Sequence, residues 1–212
     1  MTAVFGVVAD DLTGGMETAA MLVAQGIPCG FVTDPAALAD LPDMPAYVVA
    51  QKTRVIPAAD AVAKMEAGAR ALLNRKTRQL FFKYCATFDS TDEGNIGPVT
   101  DMLMELTGAE CTAFCPGSPD LARTVYNGHL FLGTQLISES PKRFDPLTPM
   151  TDPDLVRVLQ RQTSTPVGLL SLPLLRGGQD RLRAHLAQEI AQGPEALDDL
   201  LIDRALEGHD QR

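Results

Sequence analysis

Cysteine and histidine are scarce in this chain, and what there is argues against a metal centre. The four cysteines stand at positions 29, 85, 111 and 115, none in a CxxC pair, and the three histidines are scattered, so the ligand spacing of a zinc site is missing. Cys111 and Cys115 flank an apolar segment and read as reduced, buried thiols of a cytosolic protein. Positive charge is also in short supply: 18 Lys and Arg against 27 Asp and Glu leave a net charge of -9 and a pI near 4.7. Nucleic acid and an anionic membrane surface both need a basic face, so neither is expected as a partner. A small anion is not excluded, but its site must be a local basic pocket in an acidic protein. No apolar run approaches the roughly 20 residues that span a bilayer, and the first residues, Met1 to Phe5, lack a basic region followed by a long apolar one. A cytoplasmic location is the expectation. There is no GxGxxG, no GxxxxGK[ST] and no GxSxG, which leaves dinucleotide binding, Walker-type phosphate binding and an α/β-hydrolase elbow without support. Internal repeats and low-complexity tracts are absent too.

What is there is ordinary globular material, 45% hydrophobic and 21% charged, in which apolar bursts alternate with helical patterns. That alternation is the mark of an α/β chain with an open, mostly parallel sheet, Rossmann-like, with helices on both faces. Strands are expected at 4–9, 29–33, 46–50, 79–84, 112–115 and 167–172. Helices are expected over 18–25, over 58–74 just behind Pro57, over 96–106, over 152–163 with Asp152 as N-cap, and over 178–192. The connection from Tyr126 to Pro149 is long, with a Pro- and Thr-rich second half, and connections of that length are usually functional. One domain over 1–192 and a polar, acidic tail or linker start over 193–212 are expected.

Five segments carry chemistry. Asp10-Asp11-Leu12-Thr13-Gly14-Gly15 sits where the first strand meets the first helix, at the edge where open parallel sheets bind ligands. Its carboxylates and hydroxyl suit sugar hydroxyls, glycine lets the backbone come close to a ligand, and the plainer alternative is that Asp11 and Thr13 only cap the helix. Lys52 and Arg54 follow the third strand, either as a clamp for a carboxylate or as a solvated basic loop. Lys83, Asp89, Ser90 and Thr91 follow the fourth strand in close succession before Gly94 and Gly97 at a helix start, which is an anion site by construction. Asp89 could orient or deprotonate a hydroxyl, or the segment is a capped turn with Lys83 in a structural ion pair. Arg123 could meet a carboxylate, with Asn127 or His129 on a hydroxyl. Asp145-Pro146-Leu147-Thr148-Pro149-Met150 reads as a proline-fixed loop able to close over a site, or as an ordinary connection.

In order and spacing these segments resemble the four-carbon acid sugar kinase family. The matching stretches are ADDLTGG at 9–15, QKTRVIPAADAV at 51–62, FKYCATFDSTDEGNIGPVTD at 82–101, RTVYNGHLF at 123–131 and DPLTPMTD at 145–152. The third of them is similar to the 3-oxo-tetronate kinase branch. Such proteins join a substrate-binding N-terminal α/β domain to a C-terminal nucleotide-binding domain and transfer the terminal phosphoryl group of ATP to a hydroxyl of an acid sugar. The resemblance implies a pocket for 3-oxo-tetronate or a relative such as erythronate or threonate. It would be built from Asp10, Asp11, Thr13, Gly14, Lys52, Arg54, Lys83, Asp89, Ser90, Thr91 and Arg123. Arg54, Lys83 or Arg123 would take the carboxylate, and Asp11 or Asp89 would act on the accepting hydroxyl. It implies ATP and Mg²⁺ as cofactors, held mainly by a second half that this sequence does not carry and that would be supplied in cis or in trans; a homo-oligomer is possible. No metal ligand is expected in this half. A free-standing acid-sugar binding module is the alternative. Replacing Arg54 or Lys83 by Ala is expected to weaken binding and leave the fold intact. Two positions depart from the family pattern: Glu17 stands where Asp is usual, and Ala122 where glycine is common, which matters only if that residue needs positive φ.

Overall fold

Val7, Val8, Val48 and Val49 are completely buried, and their near-continuous apolar runs are what a parallel strand covered on both faces requires. The computed structural model describes residues 5–191 and 199–202. The chain divides into two compact units, one formed by residues up to Cys85 with Gly94–Leu103, the other by Ala86–Glu93 with the residues from Met104 onward.

In the first unit, β1 (Phe5–Ala9), β2 (Cys29–Val32), β3 (Ala46–Ala50) and β4 (Gln79–Lys83) form a wholly parallel sheet in the order β2-β3-β1-β4. Helix α1 (Leu12–Ala24) links β1 to β2, and α2 (Ala58–Asn74) links β3 to β4. Alternate side chains serve opposite faces. Val7, Ala9, Val48 and Ala50 form one cluster, joined by Leu12 and Ala19 of α1, while Gly68 of α2 lies over Val49 and Val8 on the other face. Ala61, Met65, Gly68, Ala69 and Leu72 are the buried side of α2, spaced as an amphipathic helix demands. This is the expected three-layer arrangement, with the strand bounds at 46–50 and the α2 bounds as read. Val4, where the first strand was expected to begin, lies outside the described residues. Helix α1 starts six residues earlier than its apolar pattern suggests. Asp11 caps it, Oδ1 accepting from Gly14 N at 2.7 Å, and the glycine pair that hid the helix is used for packing. A Cβ on Gly15 would stand 2.5 Å from the Cβ of Ala50, so only glycine lets α1 lie this close to β3. Helix α3 (Ile96–Thr107) begins in this unit.

The second unit holds two small sheets. Strands β5 (Thr112–Phe114), β9 (Val167–Leu170) and β10 (Asp199–Ile202) are parallel in the order β5-β10-β9. Part of the stretch read as tail or linker is therefore a strand; 193–198 and 203–212 lie outside the described residues. Strands β6 (Arg123–Tyr126), β7 (His129–Leu132) and β8 (Gln135–Leu136) make an antiparallel meander within what the sequence suggested was a long connection. Its turn is Asn127-Gly128, with φ of 47° and 74°, the strongest short hairpin signal there is. Helix α4 (Leu155–Gln160) is shorter than expected and capped by Asp154, not Asp152, because Asp152 receives the Nε and Nη2 of Arg157, both at 2.6 Å. Helices α5 (Leu172–Arg176) and α6 (Gln179–Ala191) follow β9. Cys115 is exposed and Cys111 half-buried, against the buried pair expected, since β5 is too short to enclose its flanks. Among the described residues no helix is long and apolar enough to cross a membrane.

Candidate functional site

Three strand ends meet in the first unit, and the backbone fixes their register. Asp10 N donates to Lys83 O at 3.0 Å, and Asp10 O accepts from Thr53 N at 2.9 Å and Arg54 N at 3.3 Å. The residues just past β1, β3 and β4 are thereby fastened together at the carboxyl edge of the sheet, where doubly wound proteins bind ligands.

On this frame the side chains converge. Arg54 places its fork on Asp10, Nε to Oδ2 at 2.9 Å and Nη2 to Oδ1 at 2.7 Å, and Nη2 also lies 3.2 Å from Asp11 Oδ1. Asp10 retains 3% side-chain exposure and Arg54 20%. Burial pushes the Asp10 carboxyl above its usual range, and the hydrogen bonds and charge of Arg54 pull against that rise. Burial works against the Arg54 charge as well, but Asp10 more than restores it and holds the guanidinium protonated above its ordinary value. Two N–H groups of Arg54, those on Nη1, have no partner among the described residues, and neither has Asp11 Oδ2. Lys83 Nζ donates to Tyr84 O at 2.8 Å and stands 3.8 Å from Glu17 Oε2, so the longer arm of Glu17 still reaches a cation. Gly14 sits between the two charges: a Cβ there would come 2.7 Å from Asp11 Oδ1 and 3.3 Å from Lys83 Nζ. Thr13 is exposed in the first turn of α1, and Lys52 is exposed without an ion pair among the described residues. Asp11 is thus both the helix cap of the plainer reading and a neighbour of the Arg54 charge.

Asp89, Ser90 and Thr91 belong to the second unit. There the backbone is strained. Asp89 N donates to Thr87 O at 2.7 Å across Phe88, whose φ is 63°, and Asp89 itself has φ 40°. A γ-turn of positive φ is rare, and two consecutive non-glycine residues in that region persist only when their surroundings hold them. Thr87 Oγ1 donates to Asp89 Oδ1 at 2.8 Å, and Lys142 Nζ lies 2.8 Å from the same oxygen and 3.4 Å from Asp145 Oδ2. Backbone N–H groups of Thr148 and Leu147 hold the Asp145 carboxyl down to about 2. The hydroxyl of Ser90 and the carbonyl of Thr91 accept from Gln162 Nε2 at 2.8 and 2.6 Å. Ser90, Thr91, Met150, Asp152 and Arg161 line an open cavity of about 360 Å³. Arg123 lies apart from these residues on β6, its Nη1 on Leu121 O at 2.7 Å and its Nε buried with no partner among the described residues. Ala122 does adopt positive φ, 56°.

The sequence reading missed Lys142, Gln162 and Asn95. Lys142 and Gln162 lie 53 and 72 residues from the groups they touch, and only a fold brings such pairs together. Asn95 stands inside a quoted motif, but its side chain turns away from its own helix.

Residues 5–207 match the model of a family described as the sugar-binding N-terminal domain. The chain is 49% identical over 203 residues to 3-oxo-tetronate kinase of Burkholderia multivorans, a match that takes in 95% of this chain and 47% of that protein. A solved structure from Salmonella typhimurium LT2 is similar with a TM-score of 0.86 and 37% identity, over 94% of this chain and 48% of that one. A Bordetella bronchiseptica protein solved with bound citrate, a domain-swapped dimer, is similar with a TM-score of 0.75 and 27% identity, over 94% and 47% of the two chains. This chain spans about half the length of the curated relatives it matches. Matched over residues 5–207 of its 212, it belongs to the family of sugar-binding N-terminal domains.

Proposed function

We propose that this chain is the substrate-binding half of a carbohydrate kinase and that a four-carbon acid sugar, 3-oxo-tetronate or a close relative such as erythronate or threonate, binds at the Asp10–Arg54–Lys83 cluster. The observation that carries this reading is the fork of Arg54 on Asp10. It spends the Nε/Nη2 edge of the guanidinium on a buried anion and leaves Nη1 for a second one. An arginine held this rigidly loses little entropy when it meets a carboxylate. Asp11 Oδ2 is the acceptor we assign to a substrate hydroxyl, ahead of Asp10, whose two oxygens are both engaged. Asp89, kept beside Lys142 and Thr87 on strained backbone in the second unit, is a separate candidate for a carboxylate that acts on a hydroxyl. Phosphoryl transfer asks mainly for positioning and charge stabilisation, so neither carboxylate need be strongly basic. Thr13 and Lys52 remain proposed contacts in the first unit, and Ser90, Thr91 and Arg123 proposed contacts within the second.

Citrate in the Bordetella protein, a small hydroxy-bearing carboxylic acid, supports an acid ligand here; the dimer of that protein supports self-association of this one. Among the described residues no three His, Cys, Asp or Glu side chains are grouped to hold a metal ion, and neither nucleotide fingerprint occurs in the sequence. The reading assigns ATP and Mg²⁺ mainly to the remaining half of the longer relatives, and the cytoplasm as the place of reaction. Calorimetry with threonate, erythronate and 3-oxo-tetronate tests binding, and a coupled assay with and without an added second half tests turnover. Binding alone, with product only when the second half is present, is the expected result. Binding with no product in either case would favour a free-standing module, and no binding of any acid would end the proposal.

A further inference from the structure

Asn95 is 5% exposed, yet its side chain does not serve the helix it precedes. Its backbone carbonyl accepts from Val99 N at 3.0 Å in the ordinary helical way. Its amide instead reaches back some forty residues: Nδ2 stands 2.6 Å from Thr53 O, 3.2 Å from Arg54 O and 3.3 Å from Ile56 O. One NH₂ group thus gathers three carbonyls of the loop that carries Arg54. Among the described residues, the backbone of the same loop is otherwise held by Asp10 O, which accepts from Thr53 N and Arg54 N, and by its own Ile56 N bond to Thr53 O. A loop of this kind has no strand ladder to fix it, and its carbonyls need a buried donor.

We infer that Asn95 is a positioning residue for the cationic side of the site. By pinning the carbonyls of 53, 54 and 56 it sets the backbone from which Arg54 lays its fork on Asp10, and so sets where the Nη1 edge lies. No smaller or acidic side chain replaces it. Alanine offers no donor, serine too short an arm, and aspartate at neutral pH would set a negative charge against three carbonyl oxygens. The inference deepens the proposed function and rests on it wherever ligand affinity is the readout.

The test is a double-variant cycle joined to amide exchange. Asn95→Ala should speed exchange of the Thr53, Arg54 and Ile56 amides tenfold or more, with amides of β1 and β3 unchanged, and should weaken the dissociation constant for threonate about tenfold, the size of one well-placed hydrogen bond to a charged group. N95D should weaken it at least as much. On an Arg54→Lys background, where the fork is already lost, adding N95A should change affinity less than twofold, because Asn95 acts through that fork. Full tenfold additivity, or exchange unchanged at 53–56, would overturn the inference. If N95A does not fold, exchange in N95D at the same three amides decides. If the unaltered protein binds none of the acids, the proposed function fails, and the exchange result still settles whether Asn95 holds the loop.

Discussion

Arg54→Ala separates a cation that merely binds ligand from one that also holds up the fold. The Asp10 carboxylate keeps only 3% exposure and would lose hydrogen bonds of 2.9 and 2.7 Å. Removing one partner of a fully buried pair costs about 3–5 kcal/mol. Arg54 is 20% exposed, so water can enter in its place, and the charge of Lys83 still favours ionised Asp10. We therefore expect a loss of about 2–3 kcal/mol at pH 7, read from urea unfolding. This revises the expectation, drawn from sequence, that Arg54→Ala leaves the fold untouched. The pH dependence carries a sign. Burial already raises Asp10, and without Arg54 it rises further. An acid whose folded pKa exceeds its unfolded one takes up its proton in the native state first. The deficit of the variant should therefore shrink as pH falls from 7 toward the unfolded value of about 4. Removing both charges, as in D10N/R54M, should cost less than R54A alone. A variant as stable as the parent at pH 7, or a deficit that does not shrink on acidification, would refute the reasoning.

Gly15→Ala should lose about 1–3 kcal/mol, since its Cβ would stand 2.5 Å from that of Ala50, and G15A/A50G should recover most of it in the same urea titration. Ala122→Gly should raise stability by up to about 1 kcal/mol, because glycine relieves the left-handed strain at φ 56° and gives back part of the gain as unfolded-state entropy. An unchanged or lower midpoint would show that the strain is negligible. Asp145, held down to about 2 in the fold, supports stability above its unfolded value of about 4 and loses that contribution as pH falls toward 2. Thermal unfolding of Asp145→Asn across that window should therefore show a shallower fall than the parent, and identical slopes would count against the assignment.

The central sheet was legible because β1 and β3 are short Val-rich runs buried on both faces, and β2 and β4 are short apolar runs between clear breakers. Where the reading slipped, local chemistry outranked periodicity. Gly14 and Gly15 looked like a loop but are helix, because tertiary packing against Ala50 outweighs their low propensity. Asp152 looked like a cap but is drawn off by Arg157. The Asn127-Gly128 hairpin was open to reading, and its asparagine was considered for hydroxyl contact instead. Asp10, Asp11, Gly14, Arg54 and Lys83 lie together because they stand at or shortly after the carboxyl ends of β1, β3 and β4 in one parallel sheet. Which oxygen meets which nitrogen was not legible. That Arg54 is committed to Asp10, and that Asn95 holds its loop, depends on side-chain directions that spacing alone does not carry.

A crystal structure with threonate bound speaks most directly to the central claim. The account predicts the ligand carboxylate at hydrogen-bond distance, ~3 Å, from Arg54 Nη1 or Lys83 Nζ, and a hydroxyl on Asp11 Oδ2. A four-carbon acid seated away from all three, with the Arg54–Asp10 fork left as it stands, would contradict it.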